Sequence, residues 1–140
     1  MTGRRAGSRL AAVPEAAPKT VLIVEEEDSL RVLVRDLIAR RGYRVIDAAT
    51  GEIALDLCHE HRGSIDLLIT DLVLRTMRGN EVAKEIALAH PGLKTIFLED
   101  HSESTMIGLG IPLKDLHYLP KPVRLKTLMS MVDELLGAGR

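Results

Sequence analysis

Tryptophan is absent from this 140-residue chain, and two tyrosines and one phenylalanine are its only aromatics. A core must therefore be aliphatic, and a hydrophobic content of 46% supplies enough for one domain. Cysteine occurs once, at Cys58, which excludes an internal disulfide and leads us to expect a cytoplasmic setting. No apolar run approaches the ~18–20 residues of a membrane span. The early arginines are followed by no continuous apolar stretch of the kind a secretory signal carries. Net charge is small, at −1, and unevenly spread: Arg4, Arg5, Arg9 and Lys19 face only Glu15 in residues 1–19. A mildly acidic globule with a short basic arm is not expected to bind nucleic acid. Residues 1–19, rich in Ala, Gly, Pro and Arg, read as a flexible tail or linker ahead of a domain over 20–140.

Past the tail, two periodicities alternate. "TVLIV" (20–24) is a continuous apolar run of strand length, suited to a strand buried on both faces. Leu30, Leu33, Val34, Leu37 and Ile38 then recur at helical spacing, with Asp28 or Ser29 to cap the start and Gly42 to end it. "YRVIDAA" (43–49) reads as a second strand. Thr50 caps a helix with Ile53, Ala54 and Leu57 inward, closed by Gly63. "IDLLIT" (65–70) is a third strand, followed by a helix with Val82, Ile86 and Ala89 inward and stopped at Pro91-Gly92. "KTIFL" (94–98) and "LHYL" (116–119) are the fourth and fifth strands, and Leu125, Leu128, Met129, Val132, Leu135 and Leu136 stripe a last helix. Strands alternating with helices imply a parallel sheet covered on both faces. Five of them in this length predict an α/β, flavodoxin-like, doubly wound five-stranded sheet in the order 2-1-3-4-5. The fourth helix should be short or irregular, because Ser102–Asp115 contains two glycines and a proline.

In such a sheet, ligands bind beyond the carboxyl ends of the strands. Those ends carry Glu25-Glu26, Asp71, Glu99-Asp100 and Lys121. A single acid at a strand end is usually a solvated loop residue. Three strand ends delivering acids to one edge, with one lysine facing them, imply a hard divalent cation, for which Mg²⁺ is the natural candidate. Nothing basic adjoins Glu25–Asp28 in the sequence; Glu27 is expected to face solvent and Asp28 to cap the helix. A glycine-rich phosphate loop after the first strand is lacking, and so is a base set beside the serines of 102–104.

From Lys19 to Leu136 the chain resembles the receiver domains of two-component response regulators. The likeness rests on the acid pair after the first strand, Asp71 in "DLLITDLVLRTMRG", Gly79, "GYRVIDAATGEIAL" and "YLPKPV". The alanine- and proline-rich lead-in and "HPGLKTIFL…HYLPKP" look most like receivers fused to hybrid histidine kinases. The resemblance implies that Asp71 accepts a phosphoryl group from a histidine kinase or phosphotransfer protein. It implies a Mg²⁺ shell of Glu25, Glu26, Asp71 and the Val73 carbonyl, with Lys121 pairing first with Asp71 and then with a phosphoryl oxygen. Tyr118 would be the aromatic switch and Pro122 would follow a cis peptide. Such a chain is a regulatory domain rather than an enzyme. Its output would pass to a protein partner over the face of the fourth helix, fifth strand and last helix, with homodimerisation left open.

Four positions depart from the family pattern. Glu26 stands where an aspartate is usual, Asp28 where proline is frequent, and Arg75 where proline is common in the loop after the phosphoacceptor, which predicts a less rigid loop. Glu99 stands where the family has Ser or Thr, whose hydroxyl donates to the phosphoryl group. An ionised glutamate cannot donate, and at ~4 Å and an effective dielectric near 20 it repels one phosphoryl charge by ~4 kcal/mol. Three arrangements would relieve this: Glu99 turned to solvent, Ser102 substituting as donor, or Glu99 pairing with Lys121 in imitation of the phosphoryl group. Two functions of different class follow: a working phosphoacceptor switch, favoured by Asp71 and Lys121, or a degenerate receiver acting as a phosphorylation-independent interaction module, favoured by Glu26 and Glu99. "CHEH" (58–61) suggests a metal cluster, but only Cys58 and His61 share a helix face, and two ligands make no zinc site; ordinary helix surface is expected.

Overall fold

The computed structural model describes residues 17–100, 107–108 and 117–137. Its order is β1 (Thr20–Val24), α1 (Asp28–Arg40), β2 (Arg44–Ala48), α2 (Gly51–Glu60), β3 (Leu67–Asp71), α3 (Gly79–Ala89), β4 (Lys94–Glu99), β5 (His117–Pro120) and α4 (Leu125–Leu136). All pairings are parallel, in the order β2-β1-β3-β4-β5. The expected broken helix over Ser102–Asp115 lies outside the described residues, apart from Ile107 and Gly108.

The alternation of side chains along a strand explains why the runs 21–24 of β1 and 67–69 of β3 are continuously apolar. Val21 and Ile23, with Leu67 and Ile69, point to the layer of α1 and α4, where they meet Val34, Ile38, Leu128, Met129 and Val132. Leu22, Val24 and Leu68 point to the opposite layer, against Ala54 and Cys58 of α2 and Val82 and Ile86 of α3. Every residue of β1 and β3 is buried. Full burial of one such aliphatic side chain contributes ~1.5–3 kcal/mol. The edge strands β2 and β5 are more exposed, as strands with one neighbour must be.

Local signals behave as their chemistry dictates, with three corrections. The Thr50 hydroxyl accepts from the Ile53 N–H at 3.1 Å. Gly42, in the left-handed region at φ 96°, follows the end of α1. The cap of α1, however, is Glu27, without a side-chain cap bond; Asp28 is already helical and pairs with Arg31 at 2.7 Å, one turn on. Helix α2 is turned from the expected face: Ile53 is 46% exposed, and Cys58 is buried in its place. Cys58 is thus core rather than helix surface, and burial pushes its thiol up to about 11. On α3, Ala89 faces outward, and Val82 and Ile86 carry the packing.

Away from the strand ends that carry the acids, the turn between α1 and β2 is joined to α4 by polar contacts. Tyr43 donates its hydroxyl to Asp133 at 2.7 Å, and Arg41 forms an ion pair with the same carboxylate.

Candidate functional site

Register brings the acids together. Val24 is level with Thr70 across β1 and β3, so Glu25 and Asp71, one residue further on, emerge side by side. Asp71 is level with Leu98, and Glu99 with Pro120, so Glu99 and Lys121 complete the same edge. Glu25, Glu26, Asp71, Val73, Glu99 and Lys121 all line one cavity of ≈ 220 Å³.

Glu25 is 1% exposed. One of its oxygens accepts the Glu27 N–H at 2.9 Å, and the other lies 3.0 Å from the Lys121 ammonium. The same ammonium lies 2.8 Å from Asp71, so one cation bridges two buried carboxylates. The carboxylate oxygens it approaches, Glu25 Oε1 and Asp71 Oδ1, are buried and receive no well-directed hydrogen bond. These contacts are therefore ionic, and both oxygens retain capacity to bind.

Asp71 is 6% exposed, and its pKa rises to about 7. Burial is the main cause and contact with Glu25 adds to it, while Lys121 opposes both. For Lys121, burial favours the neutral amine, but contact with Asp71 and Glu25 outweighs it and holds the ammonium above its ordinary range. Lys121 is therefore a fixed positive charge at neutral pH. The Lys121–Pro122 peptide is cis.

Glycine is required at 79. A Cβ there would overlap the Asp71 carbonyl oxygen, and the Gly79 N–H donates to Leu72 at 2.7 Å. The loop between β3 and α3 thus folds tightly behind Asp71. It is anchored at Arg75 as well, whose N–H donates to Glu26 at 2.8 Å, and at Thr76, whose hydroxyl donates to the two Glu52 oxygens at 2.9 and 2.7 Å. At Arg75, where a less rigid loop is expected, the N–H that a proline would lack is bonded to Glu26.

Glu99 is 3% exposed, so the arrangement in which it turns to solvent does not occur. Ser102, the substitute donor, lies outside the described residues. Lys121 forms ion pairs with Glu25 and Asp71, and Glu99 lines the same cavity. Tyr118, level with Phe97, packs against the small cluster of Phe97 and Leu72, the residue that follows Asp71.

The sequence reading missed one contact of Lys121 and the whole role of Arg31, because both cross the fold. Lys121 lies against Glu25 as well as Asp71. Arg31 donates to the Glu25 carbonyl at 2.9 Å and to Asp47 at 3.2 Å while pairing with Asp28, so it ties the ends of β1 and β2 to α1. The signal for Arg31 was its position one turn after an acid cluster.

Among the described residues, no three histidine, cysteine or carboxylate side chains converge closely enough to hold a metal by themselves. The donors that do converge are hard oxygens, the carboxylates of Glu25 and Asp71, in a cavity that Glu26 and Val73 also line. That set fits Mg²⁺, which takes one or two carboxylates and completes its shell with water. Among the described residues, no helix is long and apolar enough to cross a membrane.

The family described as the response regulator receiver domain matches residues 21–133. The sensor kinase CckA of Brucella abortus is 36% identical over 118 residues, covering 84% of this chain and 12% of that protein. The sporulation initiation phosphotransferase F of Bacillus subtilis is 27% identical over 83% of this chain and 92% of its own length. The transcriptional regulatory protein CpxR of Escherichia coli is 31% identical, with 48% of its length covered. The chain thus spans about an eighth of the kinase and about half of the transcriptional regulator. The crystal structure of the receiver domain from the hybrid histidine kinase CckA superposes with a TM-score of 0.69 at 32% identity, covering 84% of this chain and 98% of that one. The chemotaxis protein CheY4 of Vibrio cholerae gives 0.72 at 25%, covering 85% and 99%. The parallel sheet, the buried aspartate at its centre and the lysine facing it are accounted for together: this chain belongs to the response regulator receiver domain family.

Proposed function

We propose that this domain is a phosphoacceptor switch whose acceptor is Asp71. The observation that carries the reading is the Lys121 ammonium held between Asp71 and Glu25 at 2.8 and 3.0 Å. One Asp71 carboxylate oxygen attacks the phosphorus of a phosphohistidine on a sensor kinase or phosphotransfer protein. The N–P bond breaks, its electron pair stays on the imidazole nitrogen, and an aspartyl phosphate forms. Lys121 transfers its contact from the carboxylate to a phosphoryl oxygen and offsets the charge that arrives. Glu25, Asp71 and the Val73 carbonyl, with Glu26 as a further carboxylate, would hold Mg²⁺, which supplies the remaining charge neutralisation. The signal would pass from Asp71 through Leu72 to Tyr118, and from there to a partner on the face that includes β5 and α4. A cleft of ≈ 540 Å³ beside the acid cavity, lined by Leu30, Leu33, Pro122 and Val123, shares Lys121 with it and gives a donor protein an apolar approach.

One observation favours the second reading, an interaction module that works without phosphorylation: Glu99 stays buried in the cavity wall. The same experiment decides between them. The protein is incubated with Mg²⁺ and acetyl phosphate, and separately with a beryllofluoride salt. The phosphoacceptor reading expects a phosphoryl mass gain that maps to Asp71 and a Mg²⁺-dependent spectral change. Absence of both overturns it in favour of the module.

A further inference from the structure

Two of the family departures meet in one hydrogen bond. The Arg75 N–H donates to Glu26 Oε2 at 2.8 Å. Neither usual residue could make this bond. A proline at 75 has no N–H, and an aspartate at 26 ends one carbon–carbon bond short of the present reach. The bond crosses from the loop after β1 to the loop after β3, whose other bonds include Thr76 on Glu52, Leu74 on Met77 and Gly79 on Leu72. Arg75 is therefore where the phosphoacceptor loop is fastened to the acid cluster.

Glu26 also lines the cavity of Glu25 and Asp71, yet among the described residues no three acids converge there. Its carboxylate is committed to Arg75. To serve a cation between Glu25 and Asp71 it must turn inward and give up the N–H.

We propose that Glu26 is a two-position latch: on the Arg75 N–H it pins the phosphoacceptor loop, and on a divalent cation it frees that loop. The inference rests on the reading above, that the cavity takes Mg²⁺. Glu26 acts here as a positioning residue, and the extra methylene, which moves its carboxylate away from the usual Mg²⁺ reach, is what lets it reach the loop. Cation binding and loop release become one event. The cost of breaking a bond to a charged acceptor lowers cation affinity by about tenfold.

The test uses the ¹⁵N-labelled chain and reads amide hydrogen exchange at Arg75, with Mg²⁺ saturation followed at the Glu25 and Asp71 amides. In the metal-free protein the Arg75 amide should exchange slowly, and at saturating Mg²⁺ about tenfold faster or more. Glu26→Asp should leave Arg75 unprotected in both states and bind Mg²⁺ about tenfold more tightly. Glu26→Gln should keep Arg75 protected in both states, since its amide oxygen accepts the same bond but does not leave it for a cation. Arg75→Pro should reproduce the tighter binding of Glu26→Asp by removing the donor instead. An Arg75 amide that stays protected in the wild-type protein at Mg²⁺ saturation overturns the latch and leaves the cation site standing. So does Glu26→Asp with unchanged affinity. If Glu25 and Asp71 never respond to Mg²⁺, the latch and the cation site fall together.

Discussion

Glutamine in place of Glu99 removes one charge from the cavity wall and almost nothing else. That cavity, at ≈ 220 Å³, is ~7 Å across if taken as a sphere, so a charge on Glu99 and one on a phosphoryl group at Asp71 lie ~4–7 Å apart. At an effective dielectric near 20, their repulsion is ~4 kcal/mol at the near limit and ~2.4 kcal/mol at the far one. With a factor of ten for each ~1.4 kcal/mol, Glu99→Gln should speed phosphorylation of Asp71 by acetyl phosphate ~50- to 1000-fold. Glu99→Thr should gain as much and add a hydroxyl donor, worth ~1 kcal/mol more. Because Glu99 is buried, the gain should persist in high salt, where an exposed charge would be screened. The assay is a time course of intact mass in Mg²⁺ and acetyl phosphate, with Asp71→Asn as the unlabelled control. Wild-type and Glu99→Gln rates within twofold of each other would refute the reasoning, since the Glu99 charge would then go unfelt at phosphorus.

Asp71→Asn should stabilise the metal-free protein. The folded-state pKa of Asp71 is raised from 3.8 to about 7, so the fold prefers the protonated acid and loses stability as pH rises between those values. The gap corresponds to ~4 kcal/mol, and solvent reaching the open cavity reduces it to ~2 kcal/mol. Urea unfolding should show that advantage at pH 8 and little of it at pH 4; equal stabilities at pH 8 would contradict the account. Gly79→Ala should cost more than ~2 kcal/mol, because its Cβ meets the Asp71 backbone rather than a side chain that can give way; a neutral result in the same assay would show that the loop shifts freely. Cys58, with its thiol pushed up to about 11, should resist iodoacetamide in the native protein at pH 8 and react once unfolded. Rapid native alkylation would mean that α2 is not packed as described.

Much of this architecture was legible, because a strand buried on both faces leaves an unbroken aliphatic run and the acids follow those runs directly. Glu25, Asp71, Glu99 and Lys121 could each be assigned to a strand end from such a run, and register then brought them to one edge. What stayed hidden depended on reach and rotation. Ile53 and Cys58 occupy faces of one helix that differ by less than a turn's ambiguity in a short amphipathic pattern, and packing against α3 chose between them. Arg31 reads as an ordinary helix residue until the end of β2 brings Asp47 beside it. Glu26 reads as a metal ligand by position, and only the fold reveals that the added methylene carries its carboxylate to Arg75.

The cost of the site bears on whether its chemistry is used. Two carboxylates, 1% and 6% exposed, are held in contact with one ammonium between them, and the strain registers as the raised pKa of Asp71. Packing does not require this. Asparagine at 71 would fit the same space, relieve the repulsion and leave Lys121 paired with Glu25. A domain working through its surfaces alone would gain stability from that change and lose nothing. A buried acid kept nucleophilic by a neighbouring cation, at a cost of ~2 kcal/mol to the fold, is the arrangement that phosphoryl transfer needs and that interaction alone does not. Under the proposed phosphoacceptor reading Glu99 would act as a brake on Asp71, and its test is whether removing the Glu99 charge releases the reaction.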